Sequence, residues 1–294
     1  MGRGGKDGTA TAPTVCVRNR RGLVARNDRK THFTVIMNLQ LENKTALVTG
    51  STKGIGFAIA RALAAEGAKV ILNGRSAAST EQAARRIGPG ARGIAADLSN
   101  AAGCASLAEQ AGEVDILVNN AGIFEPKPFA EIPDADWDRF YQVNVMSAVR
   151  LTRAFFNSML QRNWGRVIFL SSESGVQVPE EMIHYGMTKA AEIALVNGLA
   201  RLTRGTAVTV NAVLPGPTAS EGVTDFVGAL AADAKQSPQD FEKEFFRSVR
   251  PTSLLQRFAT VEEVANTVTY LCSPLASATN GAAVRVDGGV LRAT

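Results

Sequence analysis

The amino-acid sequence predicts a doubly wound α/β fold, in which helices join the strands of a parallel sheet and cover both of its faces. From Lys44 onwards, short apolar runs alternate with longer stretches of helical periodicity. This alternation is typical of parallel strands joined by helical crossovers. A glycine-rich turn also follows the first apolar run directly, as where a nucleotide-binding strand gives way to its helix. Because no repeat or linker interrupts the chain after residue 44, a single domain is expected.

The predicted elements follow one another along the chain. Short runs rich in apolar residues predict strands at residues 45–49, 69–73, 93–97, 114–118, 166–171, 208–213 and 283–286. Apolar residues at helical spacing predict helices at residues 54–66, 77–87, 134–160, 183–202 and 261–272. A polar, helix-like stretch at residues 219–247 lies between the sixth strand and the last helix.

Positive charge is concentrated at the N-terminus. The formal net charge is +5, but residues 1–36 contain eight Lys or Arg and two Asp, which leaves a net charge of −1 for the rest. A folded domain with this balance is not expected to bind nucleic acid. Residues 1–36 show no clear period and are predicted to be a disordered basic extension ahead of a domain at residues 37–294. A targeting sequence or a nucleic-acid-binding arm are the alternatives for this extension.

Composition also bears on the cellular compartment of the protein and on whether it binds a metal. It contains no run of about 18 apolar residues, so no membrane span is expected. The three cysteines, Cys16, Cys104 and Cys272, are scattered and form no C-x-x-C pair, which fits a reducing compartment such as the cytoplasm. No cluster of His, Cys and Asp has metal-ligand spacing, so no metal is expected.

The turn at residues 49–56 reads T-G-S-T-K-G-I-G. Its glycines suit a tight turn and the close approach of a pyrophosphate, and the N-terminus of the next helix offers free N–H groups. The spacing is G-x-x-x-G-x-G, without the Gly-Lys-Ser/Thr that a P-loop requires. The turn therefore predicts a dinucleotide site formed by Gly50, Ser51, Lys53, Gly54, Ile55 and Gly56.

The end of the second strand bears on the choice of nicotinamide cofactor. An acidic residue there binds both hydroxyls of the adenosine ribose and repels a 2′-phosphate. This sequence has Asn73, Gly74 and Arg75 instead, and Lys53 in the glycine turn adds a second positive charge. A guanidinium is well suited to a phosphate. These residues favour NADP(H), with NAD(H) as the alternative.

Three polar residues, Ser172, Tyr185 and Lys189, lie in one stretch of the chain. Tyr185 and Lys189 share one face of a helix because they are four residues apart, and Ser172 follows the preceding strand. Together they can present a hydroxyl, a phenol and an ammonium to one carbonyl oxygen. Free tyrosine titrates near pH ~10. The neighbouring ammonium and a nicotinamide cation are expected to lower the pKa of Tyr185, which then serves as acid–base in hydride transfer.

From about Leu39 to the C-terminus, the sequence resembles the short-chain dehydrogenase/reductase family. The motifs that carry the resemblance are, in chain order, the glycine turn, Asp97, N-N-A-G at 119–122, Asn144, Ser172, Y-G-M-T-K at 185–189, P-G at 215–216 and V-D-G-G at 286–289. Their shared order and spacing set the resemblance apart from a chance match to any one of them. It implies a Rossmann-like sheet of seven parallel strands and assembly into homodimers or homotetramers.

The resemblance also implies roles for residues at the matching positions. Tyr185 would be the acid–base, Ser172 would orient the substrate oxygen, and Lys189 would hold the nicotinamide ribose. Asn144 would hold a water near the lysine and kink its own helix. The remaining cofactor contacts that the resemblance implies are Asp97, Leu98, Asn120, Ala121, Gly122, Pro215, Gly216, Thr218 and Ser220.

The sequence as a whole predicts an NADP(H)-dependent oxidoreductase that transfers hydride between nicotinamide and a carbonyl or secondary alcohol. The alternatives are an NAD-dependent alcohol or sugar dehydrogenase, and a regulator that binds NADP without turnover. Such a regulator would be expected to lose Tyr185 or Lys189, and this sequence keeps both. The small-molecule substrate is expected to contact residues 176–184 and a substrate loop at residues 219–257.

Overall fold

Seven parallel strands form the central sheet of the computed structural model, which describes residues 38–221 and 237–292 together with Met1. The strands within these residues are β1 (Thr45–Val48), β2 (Lys69–Gly74), β3 (Ala91–Ala95), β4 (Ile116–Asn119), β5 (Gly165–Leu170), β6 (Val208–Pro215), β7 (Thr218–Ala219), β8 (Ala259–Thr260) and β9 (Ala283–Val286). The sheet has the order β3-β2-β1-β4-β5-β6-β9, while β7 and β8 pair only with each other. The predicted seven-stranded parallel sheet is confirmed.

Helices cover both faces of this sheet. In the described part of the chain they are α1 (Gly54–Ala65), α2 (Ala77–Ile87), α3 (Ala101–Ala111), α4 (Asp134–Phe140), α5 (Ser147–Gln161), α6 (Ile183–Arg201), α7 (Pro238–Ser248) and α8 (Val261–Cys272). Neighbouring residues of β1 point to opposite faces, so Val48 joins an apolar cluster with α1 and α8. Leu47 joins a second cluster with α3, α5 and α6. The burial of both faces explains why the central strands β1 and β4 are almost entirely apolar.

The strand order reverses between β1 and β4, which are neighbours in the sheet. From β1 the chain proceeds outwards to β2 and β3, whereas from β4 it proceeds in the other direction to β5 and β6. In an open parallel sheet, such a reversal leaves a crevice at the carboxyl ends of the strands, where ligands bind. The glycine turn follows β1 and the N-N-A-G motif ends β4, so both lie at this crevice.

The structure differs from the sequence prediction around β3 and α3. A strand was predicted at residues 93–97, but β3 ends at Ala95 and leaves Asp97 in the following turn. Helix α3 was not predicted, because its many small residues hide the apolar period. Its N-terminus is capped by the Asn100 side chain, which accepts a hydrogen bond from Gly103 N at 2.9 Å. A Cβ on Gly103 would lie 1.8 Å from Asp97 O, so only glycine allows α3 to pack against this turn.

The helix predicted at residues 134–160 is not continuous. A π-helical segment, Tyr141–Met146, separates α4 from α5. Asn144 lies within this segment and is fully buried. Such segments are frequently found at functional sites, and this one lies where the family resemblance implies a kinked helix.

Some predicted regions lie outside the described residues. These are the N-terminal extension at 1–36, apart from Met1, and residues 222–236 of the substrate loop. Helix α7 is the described part of the helix-like stretch that was predicted at 219–247. Within the described part of the chain, no helix combines the length and apolar character needed to cross a lipid bilayer.

Candidate active site

A cavity of about 670 Å³ opens at the carboxyl ends of the central strands. Its wall is built from the segments that follow β1, β4, β5 and β6, together with α6 and α7. Many of the residues predicted from the sequence line it: Lys53, Gly54, Ile55, Gly56, Asn120, Gly122, Ser172, Tyr185, Lys189, Pro215, Gly216, Thr218 and Ser220. The other predicted residues do not line it: Gly50, Ser51, Arg75, Asp97, Leu98, Ala121 and Asn144.

The glycine turn needs its glycines for two different reasons. Gly50 and Gly54 have φ values of 59° and 60°, a region that other residues rarely adopt. Gly56 does not have a positive φ, but the turn leaves no room for a side chain there, since a Cβ would lie 2.6 Å from Gly50 O and 2.4 Å from Asn120 Nδ2. Helix α1 begins at Gly54, and the side chain of its N-cap residue, Lys53, makes no capping hydrogen bond.

Thr49 joins the segments after β1 and β4, a role that the sequence did not reveal. Its hydroxyl accepts hydrogen bonds of 2.9 Å from Asn120 N and from Ala121 N. In return, Asn120 Nδ2 donates to Thr49 O at 2.8 Å and to Gly50 O at 3.1 Å. The backbone of both predicted cofactor-binding segments is therefore fixed before a ligand arrives.

Ser51 was predicted to bind the cofactor, but the sheet already uses both of its donors. Its hydroxyl donates to Val48 O at 2.6 Å, and its N–H donates to Asn73 O at 2.8 Å. The side chain is also fully buried. Ser51 thus supports the turn, and neither of its donors is available to a phosphate.

Glu221 binds the N-terminus of α1, although the two segments are far apart in sequence. The N–H of Gly54 donates to Glu221 Oε2 at 2.6 Å. This is the place where a helix N-terminus would receive a pyrophosphate. The contact shows that the Gly54 N–H is oriented towards an anionic oxygen.

Replacing Glu221 with glutamine is expected to tighten NADPH binding by about two- to fivefold, because a carboxylate at a helix N-terminus contributes about 0.3–1 kcal/mol that the phosphates must displace. Calorimetric titration of the protein with NADPH measures this change. Glu66→Gln, at the other end of α1, is the matched control and should leave the affinity unchanged. Weaker binding by the Glu221 variant would mean that the carboxylate supports the cofactor site.

Ser172, Tyr185 and Lys189 meet in the cavity. Ser172 follows β5, and Tyr185 lies in the first turn of α6. The Ser172 hydroxyl lies close enough to the Tyr185 phenol to lower its pKa, and Lys189 Nζ lies 5.8 Å from the centre of the phenol ring. A Cβ on Gly175 would lie 2.8 Å from the Lys189 carbonyl carbon, so this glycine lets the turn after β5 pack directly on α6. The structure therefore brings the three predicted groups to one place.

Asn144 lies behind these residues and is fully engaged with the protein. Its amide nitrogen donates to Ile123 O at 3.0 Å and to Thr188 Oγ1 at 2.9 Å. Its amide oxygen accepts from Ile123 N at 2.8 Å. Both Asn144 Oδ1 and Lys189 Nζ lie within 3.6 Å of the position that a Gly122 Cβ would occupy. The structure thus places Asn144 beside the lysine, with its N–H groups used to tie the loop after β4 to α6.

The pKa of Tyr185 in the protein alone is raised. Desolvation in the pocket raises the pKa of the phenol, against the lowering effects of the Lys189 ammonium and the Ser172 hydroxyl. Glu192 and Glu173 raise it further. The predicted lowering by Lys189 is present, but in the protein alone burial outweighs it.

The ends of β2 and β3 form the region predicted to hold the adenosine ribose. Asn73 is buried, and its amide donates to Ile94 O at 3.3 Å and to Ala96 O at 3.2 Å. Arg75 is exposed, and its charge lowers the pKa of Asp97 together with larger effects of backbone and side-chain hydrogen bonds within the turn. This end of the crevice therefore presents the exposed guanidinium of Arg75, and Asn73 serves to tie the strand ends together.

An aromatic wall faces the same cavity from the segments around α7. Phe241, Phe245 and Phe258 line it, and the rings of Phe245 and Phe258 stack 5.2 Å apart. Near this wall, Arg250 is nearly buried and donates to Glu173 Oε1 at 3.1 Å and to Glu181 Oε1 at 3.4 Å. The pairing of Arg250 with Glu173 spans 77 residues, so no local pattern in the sequence could have revealed it.

Among residues 38–221 and 237–292, no group of three or more His, Cys, Asp or Glu is placed to hold a metal ion. The cysteines Cys104 and Cys272 are buried and unpaired.

Comparison with known proteins identifies the family. A sequence profile described as short chain dehydrogenase matches residues 44–229. The chain belongs to the short-chain dehydrogenase/reductase family. It is an oxidoreductase that acts on carbonyl or alcohol groups with a nicotinamide cofactor, as the names of its relatives in this family indicate.

Several relatives in the family match most of the chain. The chain is 49% identical over 261 residues to the uncharacterized oxidoreductase YvrD of Bacillus subtilis (strain 168), covering 87% of this chain and 99% of that protein. It is 35% identical to the 3-oxoacyl-(acyl-carrier-protein) reductase FabG of Aquifex aeolicus (strain VF5), and the match covers 86% of this chain and 100% of that protein. The structure is also similar to the crystal structure of L-sorbose reductase from Gluconobacter frateurii, complexed with NADPH and L-sorbose, with a TM-score of 0.83 and 31% sequence identity. This match covers 88% of this chain and 100% of that protein.

Proposed function

We propose that this short-chain dehydrogenase/reductase uses NADP(H) to reduce a carbonyl to a secondary alcohol, or to catalyse the reverse oxidation. The observation that carries the proposal is the meeting of Ser172, Tyr185 and Lys189 in a cavity that the glycine turn also lines. A bound dinucleotide and a substrate carbonyl would share this one space. Retention of both Tyr185 and Lys189 argues against a regulator without turnover.

The glycine turn fits the pyrophosphate of a dinucleotide. Gly54 N–H already donates to an anionic oxygen, that of Glu221, and Gly56 leaves the turn free of a clashing Cβ. When bound, the cofactor supplies or accepts the hydride. By family resemblance, Lys189 would hold the nicotinamide ribose, and Thr218 would meet the carboxamide.

Tyr185 is assigned the proton transfer. In the reducing direction its hydroxyl gives a proton to the substrate oxygen as the carbonyl carbon receives the hydride, so that an alcohol and a phenolate result. Ser172 Oγ accepts from Ser174 N at 3.1 Å, which leaves its own hydrogen to stabilise the developing charge on the substrate oxygen. Lys189 stabilises the phenolate. In the oxidising direction the phenolate takes the proton back.

Arg75 is assigned the choice of NADP(H). Arg75→Ala is expected to raise the Kd for NADPH about 10- to 100-fold, since hydrogen bonds to a charged group contribute about 1.5–3 kcal/mol. The Kd for NADH should change less than about twofold, because NADH has no 2′-phosphate for the guanidinium to contact. Titration of protein fluorescence with each cofactor measures both constants.

Arg85→Ala is the matched control, because Arg85 is an exposed arginine of α2 that pairs with Glu81 at 3.5 Å. It should leave both constants unchanged. Equal losses of NADPH and NADH affinity in the Arg75 variant would favour the alternative, an NAD-dependent dehydrogenase.

The cavity wall bears on the substrate. Phe241, Phe245 and Phe258 present aromatic rings to it, and such surfaces favour apolar substituents. The charge of Arg250 is compensated by two carboxylates, so it offers little to a substrate carboxylate. We infer that the carbonyl carries an apolar, uncharged substituent.

The proposed function is tested with a panel of carbonyls of similar size: apolar ketones, keto acids and sugars. Loss of reduced nicotinamide absorbance is followed with NADPH and with NADH. The highest kcat/KM is expected for an apolar ketone with NADPH. Preference for keto acids or sugars would contradict the inferred substrate, and the absence of turnover for every carbonyl and every corresponding alcohol would contradict the function.

A further inference from the structure

The Lys189 ammonium has a buried carboxylate partner, Glu192, one turn further along α6. Lys189 Nζ lies 3.1 Å from Glu192 Oε1 and 3.1 Å from Glu192 Oε2. It also donates to Leu170 O, at the end of β5, at 2.7 Å. Lys189 is 4% exposed and Glu192 1% exposed, so water contributes little to solvating either charge.

These contacts use the whole hydrogen-bonding capacity of the lysine. An ammonium has three N–H donors, and the three contacts with Leu170 and Glu192 match that number. One of the two contacts with Glu192 can be given up without breaking the ion pair. The carboxylate therefore holds the ammonium in place and still allows one N–H to turn towards a ligand.

The same carboxylate reduces the electrostatic effect of Lys189 on Tyr185. The Lys189 ammonium lies 5.8 Å from the Tyr185 ring centre, and an ammonium favours the phenolate. A buried carboxylate paired with that ammonium acts in the opposite direction. Burial raises the pKa of Glu192 to about 7, against the lowering effect of Lys189, so Glu192 is ionised in the alkaline range where a buried tyrosine titrates.

We propose that Glu192 is a positioning residue that holds the Lys189 ammonium and offsets its charge, and so sets how readily Tyr185 releases its proton. The catalytic part of this inference rests on the proposed function. Besides Lys189 and Glu192 on the same helix, Glu173 faces Tyr185 from the turn after β5. Glu173 in turn faces Arg250 and Asp287.

Two substitutions separate charge from packing. Glu192→Gln keeps the size and one oxygen acceptor but removes the negative charge, whereas Glu192→Leu removes both the charge and the acceptor. Glu109→Gln removes one carboxylate from the exposed face of α3 and is the control.

Ionisation of Tyr185 can be followed without cofactor or substrate. The chain has three tyrosines, so the tyrosinate absorbance of each protein minus that of the same protein with Tyr185→Phe isolates this one group. In Glu192→Gln, the fraction of Tyr185 ionised at a fixed pH below the midpoint is expected to rise about tenfold, because Lys189 is no longer offset. The acidic limb of the pH profile for alcohol oxidation should move to lower pH by about one unit, which corresponds to the same tenfold change.

Thermal denaturation gives the second readout. Glu192→Leu is expected to unfold at a clearly lower temperature, because the buried Lys189 ammonium loses its charged partner and keeps only Leu170 O as an acceptor. Glu192→Gln should restore part of that loss. Glu109→Gln should change neither the Tyr185 midpoint nor the melting temperature. An unchanged Tyr185 midpoint in Glu192→Gln would overturn the proposal. A shifted midpoint in a protein that turns over no carbonyl would leave the role of Glu192 intact and refute the proposed function.

Discussion

Replacing Tyr185 with phenylalanine is expected to lower kcat by about 10²- to 10⁴-fold, the range that general acid–base catalysis contributes. The variant lacks the hydroxyl on which Ser172 and Lys189 act. It keeps the ring and its edge contact with Phe124, whose centre lies 6.4 Å away, so the fold should persist. Steady-state kinetics give kcat, and fluorescence titration should show that NADPH still binds.

Tyr270→Phe is the control for this variant. Tyr270 lies in α8, is 40% exposed and does not line the cavity. Its loss should leave kcat and NADPH affinity unchanged. Near-normal turnover in Tyr185→Phe would show that another group donates the proton, and the assigned mechanism would then be wrong.

Gly56→Ala is expected to raise the Kd for NADPH by about 5- to 150-fold. The new Cβ would lie 2.4 Å from Asn120 Nδ2 and 2.6 Å from Gly50 O. The turn must then move, and Asn120 loses its bonds to Thr49 O and Gly50 O. Polar groups left unpaired in this way cost about 1–3 kcal/mol. If cofactor binding must restore the original turn, this free energy is lost from the binding of NADPH and gives the expected rise in Kd. Calorimetric titration measures the affinity, and thermal denaturation should show a matching loss of stability.

Gly198→Ala is the matched control, because Gly198 lies in α6 and a Cβ there meets no atom within 4 Å. It should leave NADPH binding intact and stabilise the protein by about 0.5–1 kcal/mol, since alanine favours a helix. An affinity for NADPH in Gly56→Ala equal to that of Gly198→Ala would contradict the assignment of the turn to the pyrophosphate.

The sequence predicted those parts of the fold that local patterns determine. Helix Val261–Cys272 and strand Ala283–Val286 have the predicted bounds, because the apolar pattern is regular in both. Helix Ala101–Ala111 escaped prediction because small residues dominate it and its packing depends on Gly103. The residue pattern predicted a continuous helix through the π-helical segment Tyr141–Met146, and only the family resemblance implied a kink there, since the geometry depends on tertiary contacts made by Asn144.

In the candidate site, too, only the contacts that depend on local spacing could be predicted from the sequence. Tyr185 and Lys189 could be placed together from their spacing alone, because one helix carries both. Lys189 and Glu192 lie three residues apart, so their pairing was readable in principle, but the burial that makes it important was not. The contact of Glu221 with Gly54 spans 167 residues and had no local signal. Burial raises the pKa of Tyr185 in the protein alone, an effect that no local pattern in the sequence reveals, and the net lowering expected with a nicotinamide cation stays a prediction.

The path of the hydrogen atoms tests the proposed reaction most directly. NADPH in which both hydrogens at C4 of the nicotinamide are replaced by deuterium is incubated with the protein and an apolar ketone, and the alcohol is analysed by mass spectrometry. The proposed function predicts one deuterium on the carbinol carbon of the alcohol in the unmodified protein, and almost no alcohol in Tyr185→Phe. An alcohol that carries no deuterium, or the same yield of labelled alcohol from Tyr185→Phe, would contradict it.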